Sequence, residues 1–161
     1  MNESDPVEVA RRVNDAFTAI PFEQLKQLVL ESATYEEARK RIRELGYEEL
    51  ADAVDPEIEV VATGFPAAAA LPRGKGFEVW HAYWREWLEP WEEFTFEARD
   101  YQRRGDWVIV EALTTGRGRQ SGVTVALQLF QLWQVEHGRG VRYGVYETRE
   151  QAEEAIEAVG G

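Results

Sequence analysis

Apolar side chains recur every three or four residues through roughly the first fifty positions, which is the spacing of amphipathic helices. Val9, Val13, Ala16, Phe17 and Ile20 share one face, and Arg11, Arg12 and Asp15 fall on the other. Asp5-Pro6-Val7-Glu8 supplies a start signal: Asp5 can cap, Pro6 suits the first helical position and Glu8 can close a capping box. Pro21 interrupts that run, and residues 22 to 31 repeat the pattern with Phe22, Leu25, Leu28 and Val29. Thr34-Tyr35-Glu36-Glu37 opens a further helix through Ala38, Ile42 and Leu45, stopped at Gly46. Tyr47, Leu50 and Val54 predict a short helix that ends before Pro56.

At Glu57 the period changes to two, with Ile58 and Val60 alternating against Glu57, Glu59 and Val61, and a strand is expected. Residues 63 to 74 hold Gly64, Pro66, four alanines, Pro72 and Gly74, the punctuation of a loop that borders a binding site. Phe77, Trp80, Trp84, Trp87 and Leu88 then give an aromatic helix with His81 at the edge of its apolar face, ended by Pro90. Strands near 92 to 103, 106 to 117, 121 to 136 and 140 to 147 follow with short glycine-bearing links, which predicts an antiparallel meander. Thr148-Arg149-Glu150-Gln151 caps a final helix through Ala152, Ala155, Ile156 and Val159.

With 161 residues, 44% of them hydrophobic, and 6 Trp, 7 Phe and 6 Tyr, the chain has enough apolar surface for the core of one domain. Its 30 acidic and 18 basic residues give a net charge of -12, which repels phosphate backbones and anionic membrane surfaces. Nucleic acid and membrane are therefore not expected as partners. No cysteine is present, so thiolate chemistry and disulfides are excluded. The acidic start and the lack of a long apolar run predict a cytoplasmic protein.

Particular segments carry a family likeness. Asp55-Pro56-Glu57-Ile58-Glu59-Val60 resembles the opening of the first strand in the SnoaL-like, polyketide-cyclase branch of the nuclear-transport-factor-2-like superfamily. Pro72-Arg73-Gly74-Lys75-Gly76-Phe77 with Trp84-Arg85-Glu86-Trp87-Leu88 resembles that branch's loop and helix. Phe130-Gln131-Leu132-Trp133 and Val145-Tyr146-Glu147-Thr148-Arg149-Glu150-Gln151-Ala152 resemble its last strands and C-terminal helix. The likeness covers nearly the whole chain except residues 31 to 50, which read as a helical insertion. It implies an α+β cone, a curved antiparallel sheet wrapped around N-terminal helices with an apolar pocket at one end. It also implies a homodimer formed through the sheets, a small apolar molecule as ligand, and no cofactor. Isomerases, cyclases, epoxide hydrolases, binding modules and assembly domains share this form, so membership leaves the activity open.

Glu111 is the conspicuous polar residue. It alternates with Trp107, Ile109, Leu113 and Thr115, so one strand face is apolar except for a carboxylate. If that face is the pocket wall, desolvation raises the carboxyl pKa toward values useful in acid–base chemistry. If Val108, Val110 and Ala112 face inward instead, Glu111 lies on a solvent or dimer surface. Glu59 is a second candidate acid or base on the first strand, again with an exposed alternative. The resemblance to epoxide-hydrolysing members places Glu111 where those carry arginine, and Leu113 and Gly144 at or near their two aspartates, so their water-activating set is absent.

Candidates for contacting ligand are His81, Trp84, Leu113, Leu129, Gln131 and Tyr146. An imidazole can orient a ligand or relay a proton, and a glutamine in an apolar wall can hold a carbonyl or hydroxyl without charge. Gln131 shares phase with Leu127, Leu129 and Trp133, whereas Tyr143 and Val145 compete with Tyr146 for the inward side of the last strand. His137, the other histidine, lies in a glycine turn, so no metal site is expected. The expected function is a cofactor-independent isomerase, cyclase or hydrolase, or a non-catalytic binding or dimerisation module.

Overall fold

In the computed structural model, which describes residues 5–62 and 73–160, Asp5 and Pro6 start the first helix. The Asp5 carboxylate accepts from the Val7 backbone N–H at 2.9 Å and opens α1, Pro6–Ala19. Helix α2, Phe22–Glu31, follows the Pro21 break. Thr34 opens α3, Tyr35–Glu44, by accepting from the Glu37 N–H at 3.2 Å, while the Glu37 carboxylate accepts from the Ala33 N–H at 2.9 Å. The short α4 spans Glu48–Ala51. The 31 to 50 segment is thus most of a helical hairpin, tied by Arg39, which donates to the Ala51 carbonyl at 3.0 Å and to Asp52 at 3.2 Å.

Strand β1, Val54–Ala62, starts earlier than its alternation suggested, because Val54 already pairs with Gly140. The expected loop of residues 63 to 74 lies outside the described residues except at its end, where Gly74–Lys75 forms a two-residue strand, β2, antiparallel to β1. Helix α5 is Phe77–Leu88, and the meander comprises β3 Trp91–Arg104, β4 Trp107–Gly118, β5 Thr124–Glu136 and β6 Arg139–Tyr146. Helix α6, Arg149–Gly160, closes the described chain. Its capping box is complete: Thr148 Oγ1 accepts from the Gln151 N–H at 3.1 Å and Gln151 Oε1 accepts from the Thr148 N–H at 3.3 Å.

The sheet order is β2-β1-β6-β5-β4-β3, antiparallel at every described pairing except β1 with β6, which is parallel. The curved sheet is not closed into a barrel. Its inner face carries Ile58, Val60, Val108, Val110, Leu129, Trp133, Val135, Tyr143 and Val145, all buried in one cluster with the apolar faces of α1, α2, α3 and α5. Its outer face carries a second, smaller cluster of Trp107, Ile109, Phe130, Leu132 and Tyr146, covered by Ala152, Ala155 and Ile156 of α6. Gly140 lets Trp133 lie close to β6: a Cβ there would stand 2.6 Å from the indole Cζ3. Among the described residues, no helix is long and apolar enough to cross a membrane.

Candidate functional site

Between the helices and the inner sheet face lies a cavity of about 90 Å³. Helices α1 and α2 contribute Val13, Asn14, Phe17, Leu25 and Val29; the α3–α4 hairpin contributes Tyr35, Ala38, Ile42 and Leu50. Helix α5 presents Trp80, His81, Tyr83, Trp84, Trp87 and Leu88. The sheet completes the wall with Phe94, Phe96, Leu129, Gln131, Trp133, Tyr143 and Val145. None of the described lining residues is an aspartate, glutamate, lysine or arginine. The aromatics pack edge to face, with Trp133 and Tyr143 ring centres 4.7 Å apart and those of Trp80 and Tyr143 5.2 Å apart.

A chain of hydrogen bonds crosses this apolar wall. Asn14 Nδ2 donates to Gln131 Oε1 at 3.0 Å and to the Tyr101 hydroxyl at 3.3 Å. Gln131 Nε2 donates to the Tyr143 hydroxyl at 3.4 Å, and Tyr143 is hydrogen-bonded in turn to Tyr83. Burial pushes the Tyr143 phenol up to about 12, an effect its bonds to Gln131 and Tyr83 only partly offset. Burial likewise holds Tyr83 well above the ordinary tyrosine value and takes Tyr35 up to about 12. These phenols stay protonated near neutral pH and act as hydrogen-bonding groups.

His81 is 4% exposed, and neither ring nitrogen has a hydrogen-bond partner among the described residues. Burial lowers its pKa below the ordinary 6.5, helped by the positive charge of Arg85 one turn on, so the ring is neutral near pH 7. Arg85 itself is engaged elsewhere: its Nη1 donates to the Leu30 carbonyl at 2.7 Å and the Ser32 carbonyl at 3.2 Å, satisfying the end of α2. The Tyr35 ring stands edge-on to the imidazole, centres 6.5 Å apart. Trp133 Nε1 is a third buried polar atom without a partner.

Of the residues singled out in the sequence, His81, Trp84, Leu129 and Gln131 line the cavity; Glu111, Glu59, Leu113 and Tyr146 do not. Strand β4 points Val108, Val110 and Ala112 inward, which turns Glu111 and Leu113 to the outer face. There Arg149 Nη2 donates to Glu111 Oε1 at 2.8 Å, and the same guanidinium lies 5.2 Å from the centre of the Phe130 ring. Glu59 is also outside, accepting from Arg142 Nε at 3.1 Å, and Tyr146 is buried beneath α6. The physical reason is that α6 makes both faces of β4 apolar, so alternation alone could not choose the inward one. Gly144, paired with Leu132 of the outer cluster, also falls outside.

Asn14, Tyr83, Tyr143 and Tyr35 belong to the cavity and were not singled out as site residues by sequence. Asn14 did carry a signal: it lies four residues after Ala10 and three before Phe17, an amide inside an apolar stripe. Tyr83 shares a face with Trp80 and Trp87 in the same way. Among the described residues, no group of three or more His, Asp or Glu side chains stands close enough to hold a metal ion.

A curved sheet around helices with a cavity between them defines an α+β cone of the NTF2-like class, and solved structures share it. An NTF2-like protein of unknown function from Burkholderia pseudomallei K96243 superposes with TM-score 0.62 at 16% identity, over 98% of this chain and 97% of that one. A candidate SnoaL-like polyketide cyclase from Jannaschia sp. CCS1 gives 0.59 at 17% identity, over 96% and 92%. A protein with a ketosteroid-isomerase-like fold from Catenulispora acidiphila DSM 44928, in complex with trimethylamine, gives 0.55 at 14% identity, over 88% and 86%. At these identities the likeness carries the fold alone. The sequence pattern of the SnoaL-like domain matches residues 40–143, and the chain belongs to that family. No curated protein matches the sequence significantly.

Proposed function

We propose that this protein is a cofactor-independent pocket protein that takes one small, predominantly apolar, uncharged molecule into the cavity between its helices and inner sheet face. The observation that carries this reading is the uncharged aromatic and aliphatic lining, with a few polar groups set into it. Its scale fits a small guest: about 90 Å³ is of the order of the ~150 Å³ apolar cavity that holds benzene, and far below the space a dinucleotide needs. A fluorescence titration using the cavity tryptophans tests it, with toluene as probe. Saturable one-to-one binding is expected, and a linear, non-saturating response would remove the reading.

A second reading, proton transfer on the bound molecule as in an isomerase or cyclase, is favoured by His81. It is a neutral imidazole lining the cavity, the form that accepts a proton. Loss of turnover in His81→Gln, with ligand binding retained, separates catalysis from binding. The proposal also includes a homodimer through the outer sheet face beside α6, around the half-buried Leu113 and Thr115 and the exposed Ala126. Sedimentation at several concentrations checks it, and a monomer throughout removes that part.

A further inference from the structure

His81 has more hydrogen-bonding capacity than its surroundings use. A neutral imidazole carries one N–H donor and one bare nitrogen acceptor, and both are buried without a partner among the described residues. Leaving such groups unmade in a core is costly, and each one in a folded chain calls for a reason. His81 is one of the residues that line the cavity. Trp133, whose indole N–H is likewise buried without a partner, lines the same cavity.

Charge narrows the class of guest. No described lining residue can neutralise an ion, and the imidazole is held neutral by burial, so a carboxylate or ammonium would enter without a countercharge. The unfilled groups narrow it further. A carbonyl oxygen can serve only the donors, the Trp133 N–H and the imidazole N–H. A hydroxyl donates and accepts, so it can serve whichever imidazole nitrogen faces it.

Resting on the pocket reading above, we infer that His81 seats a hydroxyl group, so that the cavity selects a neutral, ring-sized molecule bearing a hydroxyl over the bare hydrocarbon of the same shape. Phenol, toluene and benzoate form the test set, titrated into wild type and His81→Leu. In wild type, phenol is expected to bind about tenfold more tightly than toluene, the fold-change of one net hydrogen bond, and benzoate more weakly than either. In His81→Leu the preference for phenol disappears while toluene still binds. Imidazole 15N shifts in the wild-type protein give a readout that needs no variant: phenol moves the His81 ring resonances and toluene leaves them in place. Equal binding of phenol and toluene, a preference that survives His81→Leu, or unmoved ring resonances would each overturn the inference while leaving the pocket reading intact, whereas tighter binding of benzoate than of phenol would overturn the inference together with the uncharged-guest part of that reading. Failure of both phenol and toluene to bind overturns both.

Discussion

Asn14 of α1 donates its side-chain amide to Gln131 of β5 over 3.0 Å, both residues about 95% buried. The bond ties the first helix to the middle of the sheet across 117 positions of sequence, and it fixes the polar strip of the cavity wall. Removing one partner leaves the other buried and unmade, at a cost of about 1–3 kcal/mol. Asn14→Leu and Gln131→Leu are each expected to lower stability by that amount. The double variant should lose less than the sum of the two. Denaturant unfolding of the four proteins checks it, and strict additivity would show that the two side chains act independently.

His81 makes stability depend on pH with a definite sign. Its pKa is lowered in the folded protein relative to the ordinary 6.5, so the unfolded chain binds a proton more readily than the folded one. The stabilisation is fully present above pH 6.5 and is lost as pH falls from there through the folded value. The wild-type melting temperature should therefore fall more steeply between pH 7 and 5.5 than that of His81→Leu. Parallel slopes would contradict the assignment of a buried neutral imidazole.

Replacing His81 by leucine removes two unpartnered buried nitrogens and adds apolar surface of similar size. At pH 7 the variant is expected to be as stable as wild type or more so, by up to about 2 kcal/mol. A loss of more than about 1 kcal/mol would give His81 a structural role instead.

Ala38 faces the cavity from α3 at 2% exposure. Ala38→Leu should occupy the space with three further carbons, each worth about 0.8 kcal/mol when buried without strain. Stability is expected to rise by about 1 kcal/mol, and toluene affinity to drop at least about tenfold as the site fills. A drop in stability of about 1–3 kcal/mol, the signature of overpacking, would mean the space beside Ala38 is already closed.

Glu111→Gln is the corresponding control on the other face. Its pair with Arg149 has both side chains about 30% exposed, so the change should cost less than about 1 kcal/mol and leave toluene binding unaltered. Weakened binding would show that the outer face communicates with the cavity.

Element order is legible in this sequence because its signals are local: Asp5, Thr34 and Thr148 cap the helices they precede, and alternation marks the strands. Gln131 and Leu129 share their phase with Trp133, and all three line the cavity, although Phe130 and Leu132 make the other face of β5 apolar as well. Strand β4 carries the same ambiguity. Trp107-Val108-Ile109-Val110 is apolar on both faces because the helices cover one and α6 the other, and a one-residue choice of phase sends Glu111 in or out. The parallel pairing of β1 with β6 is equally invisible locally, since it joins segments about 80 residues apart. The polar strip needed Asn14, which reaches the sheet only through tertiary packing.

The most direct test of the cavity as a binding site is methyl NMR of the wild-type protein titrated with toluene. Val13, Val29, Leu129 and Val145 line the cavity, whereas Val61 and Leu113 lie on strands away from its wall. Saturable shifts confined to the first set are the expected result. Shifts at Leu113 and Val61 with none at Leu129 and Val145, or no saturation anywhere, would contradict it.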